Sequence, residues 1–390
     1  MKKQLRVLAL VMAVMMAFSA CGKDEVASIS EVSISETPIE DLIPQVSESV
    51  SEEPEVEVVE EPEVEVVPEG MYRSELTNEI ISEDLKDQRP IACMVDNETK
   101  AYPHMGLNQA DVVYELMNST ANGRITRLMC LVKDWKNLEQ FGSIRSTRPT
   151  NVLLAGEWNA ILVHDGGPYY INEYLAREWS NNLSGGFARY TNGKNWEYTE
   201  YVTSESFYNA DQDKTYAGLI SRIEKAGYTE TYNDYYEGPH FTFNDKDADY
   251  TADHGSGFEC KEIDLPYPHN SSKLIYNEDT QTYDYYCYGD AHVDPLDGNK
   301  VMSFKNLIVY AVDFYQYDEH GYLIYNCIGA GDKGYYISNG FAIPIHWAKP
   351  SENGQTLYYD LEKGGLITLN TGKTYITMVP ADVWDEVEYK

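Results

Sequence analysis

The chain has 390 residues, with 30 Lys and Arg against 64 Asp and Glu and a formal net charge of −34. That length exceeds one ordinary domain, and the acidity excludes a protein that grips a nucleic-acid backbone, which needs a basic footprint. The charge is uneven: residues 24–70 hold 16 acidic residues and no Lys or Arg, which leaves −22 for residues 71–390.

Lys2, Lys3 and Arg6 precede an apolar stretch from Val7 to Phe18 that ends in Ser19-Ala20-Cys21. A charged start, a short apolar run and small residues before a cut make a secretory signal over residues 1–20. The run is too short to cross a bilayer as a helix. Its end resembles the bacterial lipobox, although Phe18 stands where Leu is usual, so Cys21 is expected to be acylated and to tether the chain to the extracytoplasmic face of the membrane. A plain secretory signal is the alternative. Residues 21–72 are mostly Ser, Glu, Val and Pro, and the octapeptide Glu52–Val59 repeats as Glu60–Val67. With so little to form a continuous apolar face, such a segment cannot offset the entropy of ordering, and a disordered acidic spacer is expected.

The globular part is expected to be α+β: an α/β-type domain over residues 73–248 followed by a β-rich domain over residues 249–390. Ile91–Val95 has the pattern of a short buried strand. Val112–Met117 and Ile125–Val132 suggest a hairpin closed by Asn122-Gly123, a pair that tolerates positive φ. Pro149 to Trp158 suggests a helix with proline in its first turn. Ala160–Val163 is a further strand and delivers His164 into Asp165-Gly166-Gly167. Tyr216–Ala226 suggests a helix stopped by Gly227. Beyond residue 245, six segments, beginning at Leu274, Asn306, Gly334, Ala342, Thr356 and Thr374, have the pattern of strands. Once Cys21 is set aside, Cys93, Cys130, Cys260, Cys287 and Cys327 remain. Their odd number and wide spacing argue against a disulfide framework and against a zinc site, and no cofactor is expected.

Several short motifs occur in series: Arg89-Pro90-Ile91, Asp96-Asn97, Ala110-Asp111-Val112-Val113-Tyr114-Glu115, Ile125-Thr126-Arg127, Gly142-Ser143-Ile144-Arg145-Ser146-Thr147-Arg148 and His164-Asp165-Gly166-Gly167. Asn306-Leu307-Ile308-Val309, Gly329-Ala330-Gly331 and Asn370-Thr371-Gly372-Lys373-Thr374 follow in the second half. Together they resemble the YerB-like lipoproteins, a family named for an N-terminal and a C-terminal domain of unknown function. The resemblance implies a lipoprotein architecture and no established reaction. Tyr102, His104 and Pro168 depart from its usual residues.

Of nine Arg beyond the signal region, four fall between residues 124 and 148. Arg145 and Arg148 flank Ser146-Thr147 at a predicted helix start, where free N–H groups and the dipole favour an anion and guanidinium forks add bidentate donors. Arg127, Arg145, Ser146, Arg148, Asp96, Asn97 and His164 therefore form the candidate binding set. The competing expectation is that Arg145 and Arg148 pair with Asp96, Asp111 or Glu115 inside the domain. His164 is the best single candidate for a general base, with Ser146 as nucleophile, but no catalytic motif frames it, and a structural histidine that pins the glycine loop is the preferred reading. Asp290, His292 and Asp294 have calcium-like alternation without the order of a known calcium loop. All 33 Tyr follow residue 70 and suit sugar stacking, protein interfaces or strands alike. Three functions follow: an envelope binding or regulatory module for a wall-synthesis or surface protein, an enzyme on an anionic wall polymer with His164 as base, or a solute-binding lipoprotein. The first is preferred.

Overall fold

Three apolar runs form the centre of the fold. Ile91–Asp96 (β1), Val112–Met117 (β2) and Thr126–Val132 (β3) are buried at every position, as strands covered on both faces must be. The computed structural model describes residues 66–390; the signal sequence, Cys21 and the acidic spacer up to residue 65 lie outside the described residues. The remaining strands of this sheet are Ile161–His164 (β4), Asn181–Ser184 (β5), Phe258–Glu259 (β6), Asn306–Val312 (β7), Gly334–Ser338 (β8), Phe341–Lys349 (β9) and Thr374–Pro380 (β10). They lie in the order β6-β9-β8-β7-β10-β2-β3-β1-β4-β5, and two short strands, Gly329–Gly331 and Leu357–Asp360, also pair with β9.

The sheet draws strands from both halves of the sequence. The seam is β10, parallel to β2 with Thr374 opposite Val112, and parallel to β7 with Asn306 opposite Thr374. β3 is antiparallel to β2 and to β1, with Cys93 opposite Cys130. All five cysteines among the described residues are free and buried. A six-stranded sheet built around Lys273–Asn277 and Thr282–Cys287 packs beside it. In Thr282–Cys287 alternate positions are buried, which turns Tyr283, Tyr285 and Cys287 inward.

The expected α+β class with an α/β-type N-terminal domain is corrected by this arrangement: the protein is mostly β-strand. Among the described residues the α-helices have nine, four and eight residues. The two expected helices exist, as Pro149–Glu157 (α1) and Leu219–Ala226, the latter stopped by Gly227 at φ 71°. What failed was the step from strands alternating with helices to an α/β unit, because β3 lies between β1 and β2 and runs antiparallel to both, so the sheet is mixed although β4 and β5 add to β1 in parallel. The expected tight turn is also longer than the dipeptide suggests. β2 ends at Met117 and β3 begins at Thr126, and Asn122, Gly123 and Arg124 all have positive φ.

All nine residues of α1 are buried. The hydroxyl of Thr150 accepts a hydrogen bond from the Tyr325 amide at 2.9 Å, which ties the helix to the hairpin of Phe314–Gln316 and Leu323–Tyr325.

Candidate functional site

The stretch leading into α1 crosses the end of β1. The Asp96 amide donates to the Ser143 carbonyl at 3.0 Å, the Arg145 amide to Met94 at 2.9 Å and the Thr147 amide to Gly166 at 3.1 Å. Arg127 on β3 lies directly opposite Asp96 on β1. These connections gather Arg127, Arg145, Ser146, Arg148 and Asp96 around one cleft of about 470 Å³, closed on its far side by Asn118 and Tyr322.

The three arginines differ in their partners. Arg145 has its Nε 2.5 Å from the Asp96 carboxylate and its Nη2 3.1 Å from Glu197, so its charge is met inside the protein. Arg127 is only 8% exposed; its Nη1 donates to the Ser146 carbonyl at 2.8 Å and to the Ser146 hydroxyl at 3.0 Å, and its Nε is buried without a partner. Arg148 is 5% exposed, and it donates to the Asn118 carbonyl at 3.3 Å, the Thr147 carbonyl at 2.9 Å and the Ser146 hydroxyl at 3.2 Å. Its guanidinium carbon lies 3.9 Å from the centre of the Tyr322 ring. Neither Arg127 nor Arg148 has an ion-pair partner among the described residues. The internal pairing expected for both Arg145 and Arg148 therefore holds for Arg145 alone.

Electrostatics sharpen that difference. Burial depresses the Arg148 pKa below its ordinary range, and the like charge of Arg127 depresses it further. Burial likewise lowers Arg127, with Asp96 working against the shift and Arg145 adding to it. Arg148 is also the N-cap of α1, where the helix dipole disfavours a cation. The first-turn N–H groups are largely used: Pro149 has none, and the Arg148 amide donates to the Asn151 side chain at 3.2 Å. Two buried like charges at a helix N-terminus are expensive unless something neutralises them. Such a cleft can take an anion between two guanidinium groups. The Asn118 side-chain oxygen, also buried without a partner, adds a polar atom to its wall.

The remaining predicted residues lie elsewhere. Asn97 donates to Glu115 at 3.2 Å and Thr126 at 2.9 Å and accepts from Tyr102 at 2.7 Å. It belongs to a buried network in which Ser272, Tyr285 and Tyr375 also donate to Glu115. His164 is buried, with Nδ1 donating to the Gly166 carbonyl at 2.8 Å and Nε2 3.3 Å from the Asn182 side chain. Burial lowers its pKa, and both nitrogens are engaged away from Ser146. His292 faces His104 at 3.3 Å, Asp294 accepts from the Gly106 and Asn108 amides at 3.0 and 2.9 Å, and Asp290 opens an edge strand. Among the described residues no group of three or more His, Cys, Asp or Glu is placed to hold a metal ion. Tyr102 and His104, two of the departures from the family pattern, sit beside His292 and not in the cleft. Asn118 and Tyr322 escaped the sequence reading: the first lies in a turn and the second in a hairpin 174 positions beyond Arg148, with no local motif to mark either.

Fold and cleft together define a predominantly β, mixed-sheet protein in which two buried arginines without an ion-pair partner line one cleft. Residues 76–217 match the family described as Protein of unknown function (DUF3048) N-terminal domain, and residues 263–376 match its C-terminal domain. The chain belongs to this family. It is 25% identical over 318 residues to YerB of Bacillus subtilis (strain 168), whose name carries the word lipoprotein, across 79% of this chain and 86% of that one. The crystal structure of YerB protein from Bacillus subtilis superposes with a TM-score of 0.62 at 20% identity, covering 82% of this chain and 99% of that chain, which shows a shared fold.

Proposed function

We propose that this chain is a lipid-anchored protein of the extracytoplasmic face of the membrane that binds an anionic group of an envelope component through Arg127 and Arg148, and that it acts as a binding module and not as an enzyme. The anchor rests on the ordered signal sequence ending in Cys21 and on the name of the Bacillus relative. The binding reading rests on one observation: two arginines at least nine-tenths buried line the same cleft, and neither forms an ion pair, although Asp96, Glu98 and Glu319 also line it. The wall-synthesis protein or wall polymer expected from the sequence would each supply a carboxylate or a phosphate. Against the enzyme reading, the Ser146 hydroxyl accepts from both arginines while His164 is engaged by Gly166 and Asn182.

Calorimetric titration of the mature chain with inorganic phosphate tests the site. Charge-assisted hydrogen bonds contribute about 1.5–3 kcal/mol each, so Arg127→Met/Arg148→Met is expected to weaken phosphate binding at least about a hundredfold, and equal binding by both forms would contradict the site. Labelling cells with a radioactive fatty acid tests the anchor: label should enter the wild-type chain and be absent from Cys21→Ala.

A further inference from the structure

The arginine cleft does not end at Tyr322. The hairpin that carries Tyr322 also carries Tyr315 and Tyr317, and Asp318 at its tip accepts a hydrogen bond from the Tyr170 hydroxyl at 3.2 Å. Tyr170 stacks on Tyr317 with ring centres 4.2 Å apart, and it lies close enough to Arg148 and Tyr322 to interact electrostatically with both. Tyr169 meets Tyr170 edge-on at 5.3 Å and Tyr315 meets Tyr317 edge-on at 5.4 Å. The outer two rings are open to solvent, Tyr169 at 85% and Tyr315 at 59%. A shelf of tyrosines therefore runs outward from the arginine pair.

Three features of this surface say what lies on it. Every ring in the shelf is a tyrosine, offering a flat apolar face with a hydroxyl at its edge, which suits the alternating C–H faces and hydroxyls of a pyranose. Asn118 lines the cleft with its side-chain oxygen buried and without a donor, and an ionised carboxylate or a phosphodiester has no proton to give it, whereas a hydroxyl on the same ligand does. Arg127 and Arg148 are the cleft cations without an ion pair, Asp96, Glu98 and Glu319 also line the cleft, and the globular part carries a net charge of −22, so a densely charged polyanion would be repelled while one isolated acidic group would be held.

From these we infer that the ligand is an acidic glycan: one carboxylate or phosphate sits between Arg127 and Arg148, a neighbouring sugar hydroxyl donates to Asn118, and the following rings lie along Tyr170, Tyr317 and the exposed Tyr169 and Tyr315. The inference rests on the anion-binding reading above and specifies its ligand class.

The test measures binding of the mature chain to a galacturonic acid hexasaccharide, a neutral glucose hexasaccharide, a hexaglutamate peptide and inorganic phosphate. Wild type is compared with Tyr169→Ala/Tyr315→Ala, whose side chains are solvent-exposed, and with Arg127→Met/Arg148→Met. The acidic hexasaccharide is expected to bind at least tenfold more tightly than phosphate. The tyrosine variant should lose about tenfold for that sugar and leave phosphate binding unchanged, and the arginine variant should lose both. Unchanged sugar binding in the tyrosine variant, or hexaglutamate bound as tightly as the sugar, would overturn the glycan inference while leaving the anion site standing. Phosphate and sugar bound equally by wild type and the arginine variant would overturn the anion site itself.

Discussion

The two ends of α1 carry buried charges of the wrong sign for the helix dipole, and they are treated in opposite ways. At the C-terminal end Glu157 and Lys349 form an ion pair at 2.7 Å with both side chains at 0% exposure. Glu157 also accepts from Tyr114 at 2.8 Å and from the Thr356 hydroxyl at 2.7 Å. At the N-terminal end Arg148 is as good as buried, but the charged group nearest in kind is another buried arginine. One end is closed and balanced, the mark of a charge that serves the fold. The other borders a cleft and is out of balance, and proteins keep such violations of local rules where they bind something.

The comparison breaks first at Glu157. Removing one member of a buried pair strands the other, so Glu157→Ala should cost about 3–5 kcal/mol in urea unfolding, and pairing it with Lys349→Met should recover much of that loss. Burial alone would raise the Glu157 carboxyl, and Lys349, His240 and the Thr356 hydroxyl together outweigh it, so the group lies below its ordinary value of 4.5. A depressed carboxyl contributes stability that is fully present above pH 4.5 and is lost as the pH falls below it. The wild type should therefore lose stability in that acid range, and the Glu157→Ala/Lys349→Met form should lose less. Ser146→Ala, at the other end, removes the hydroxyl that accepts from both arginines. It should cost about 0.5–1.5 kcal/mol in the same unfolding experiment and weaken phosphate binding, since both guanidinium groups are then less well held. The smallest effect belongs to Asp96→Asn, which leaves Arg145 with Glu197 alone. Arg145 is partly exposed, so the stability change should stay within about 1 kcal/mol, while a third partly unneutralised cation should tighten phosphate binding several-fold in calorimetry.

Much of this was legible in the sequence where the signal was local. The strand β1, the hairpin β2–β3, both longer helices and the six later strands follow from apolar runs and turn residues. Arg127, Arg145, Ser146 and Arg148 stood out because arginine is rare elsewhere in an acidic chain, and the cleft does gather them. The fold class was not legible, because an apolar run looks the same whether its neighbour is parallel or antiparallel, and the parallel junction of β2 with β10 joins residues some 260 positions apart. For the same reason the partners of each arginine were hidden. Nothing near Arg145 or Arg148 in sequence says that Asp96 and Glu197 neutralise the first while Tyr322, a ring and not a carboxylate, faces the second. His164, at a strand end before two glycines, has the look of a reactive group, but the competing reading of a structural histidine that pins the glycine loop fits its two nitrogens, which secure the adjoining loop and β5.

The most direct test of the contrast between the two helix ends is the unfolding free energy of Arg127→Met/Arg148→Met in buffer free of multivalent anions. If the pair is held for a ligand and not for the fold, replacing two unneutralised buried charges with apolar side chains should leave stability unchanged or raise it by about 1–2 kcal/mol. Phosphate should then stabilise the wild type and have no effect on the variant. A loss of several kcal/mol in the variant, with a wild type indifferent to phosphate, would show that these arginines hold the fold together as Glu157 and Lys349 do.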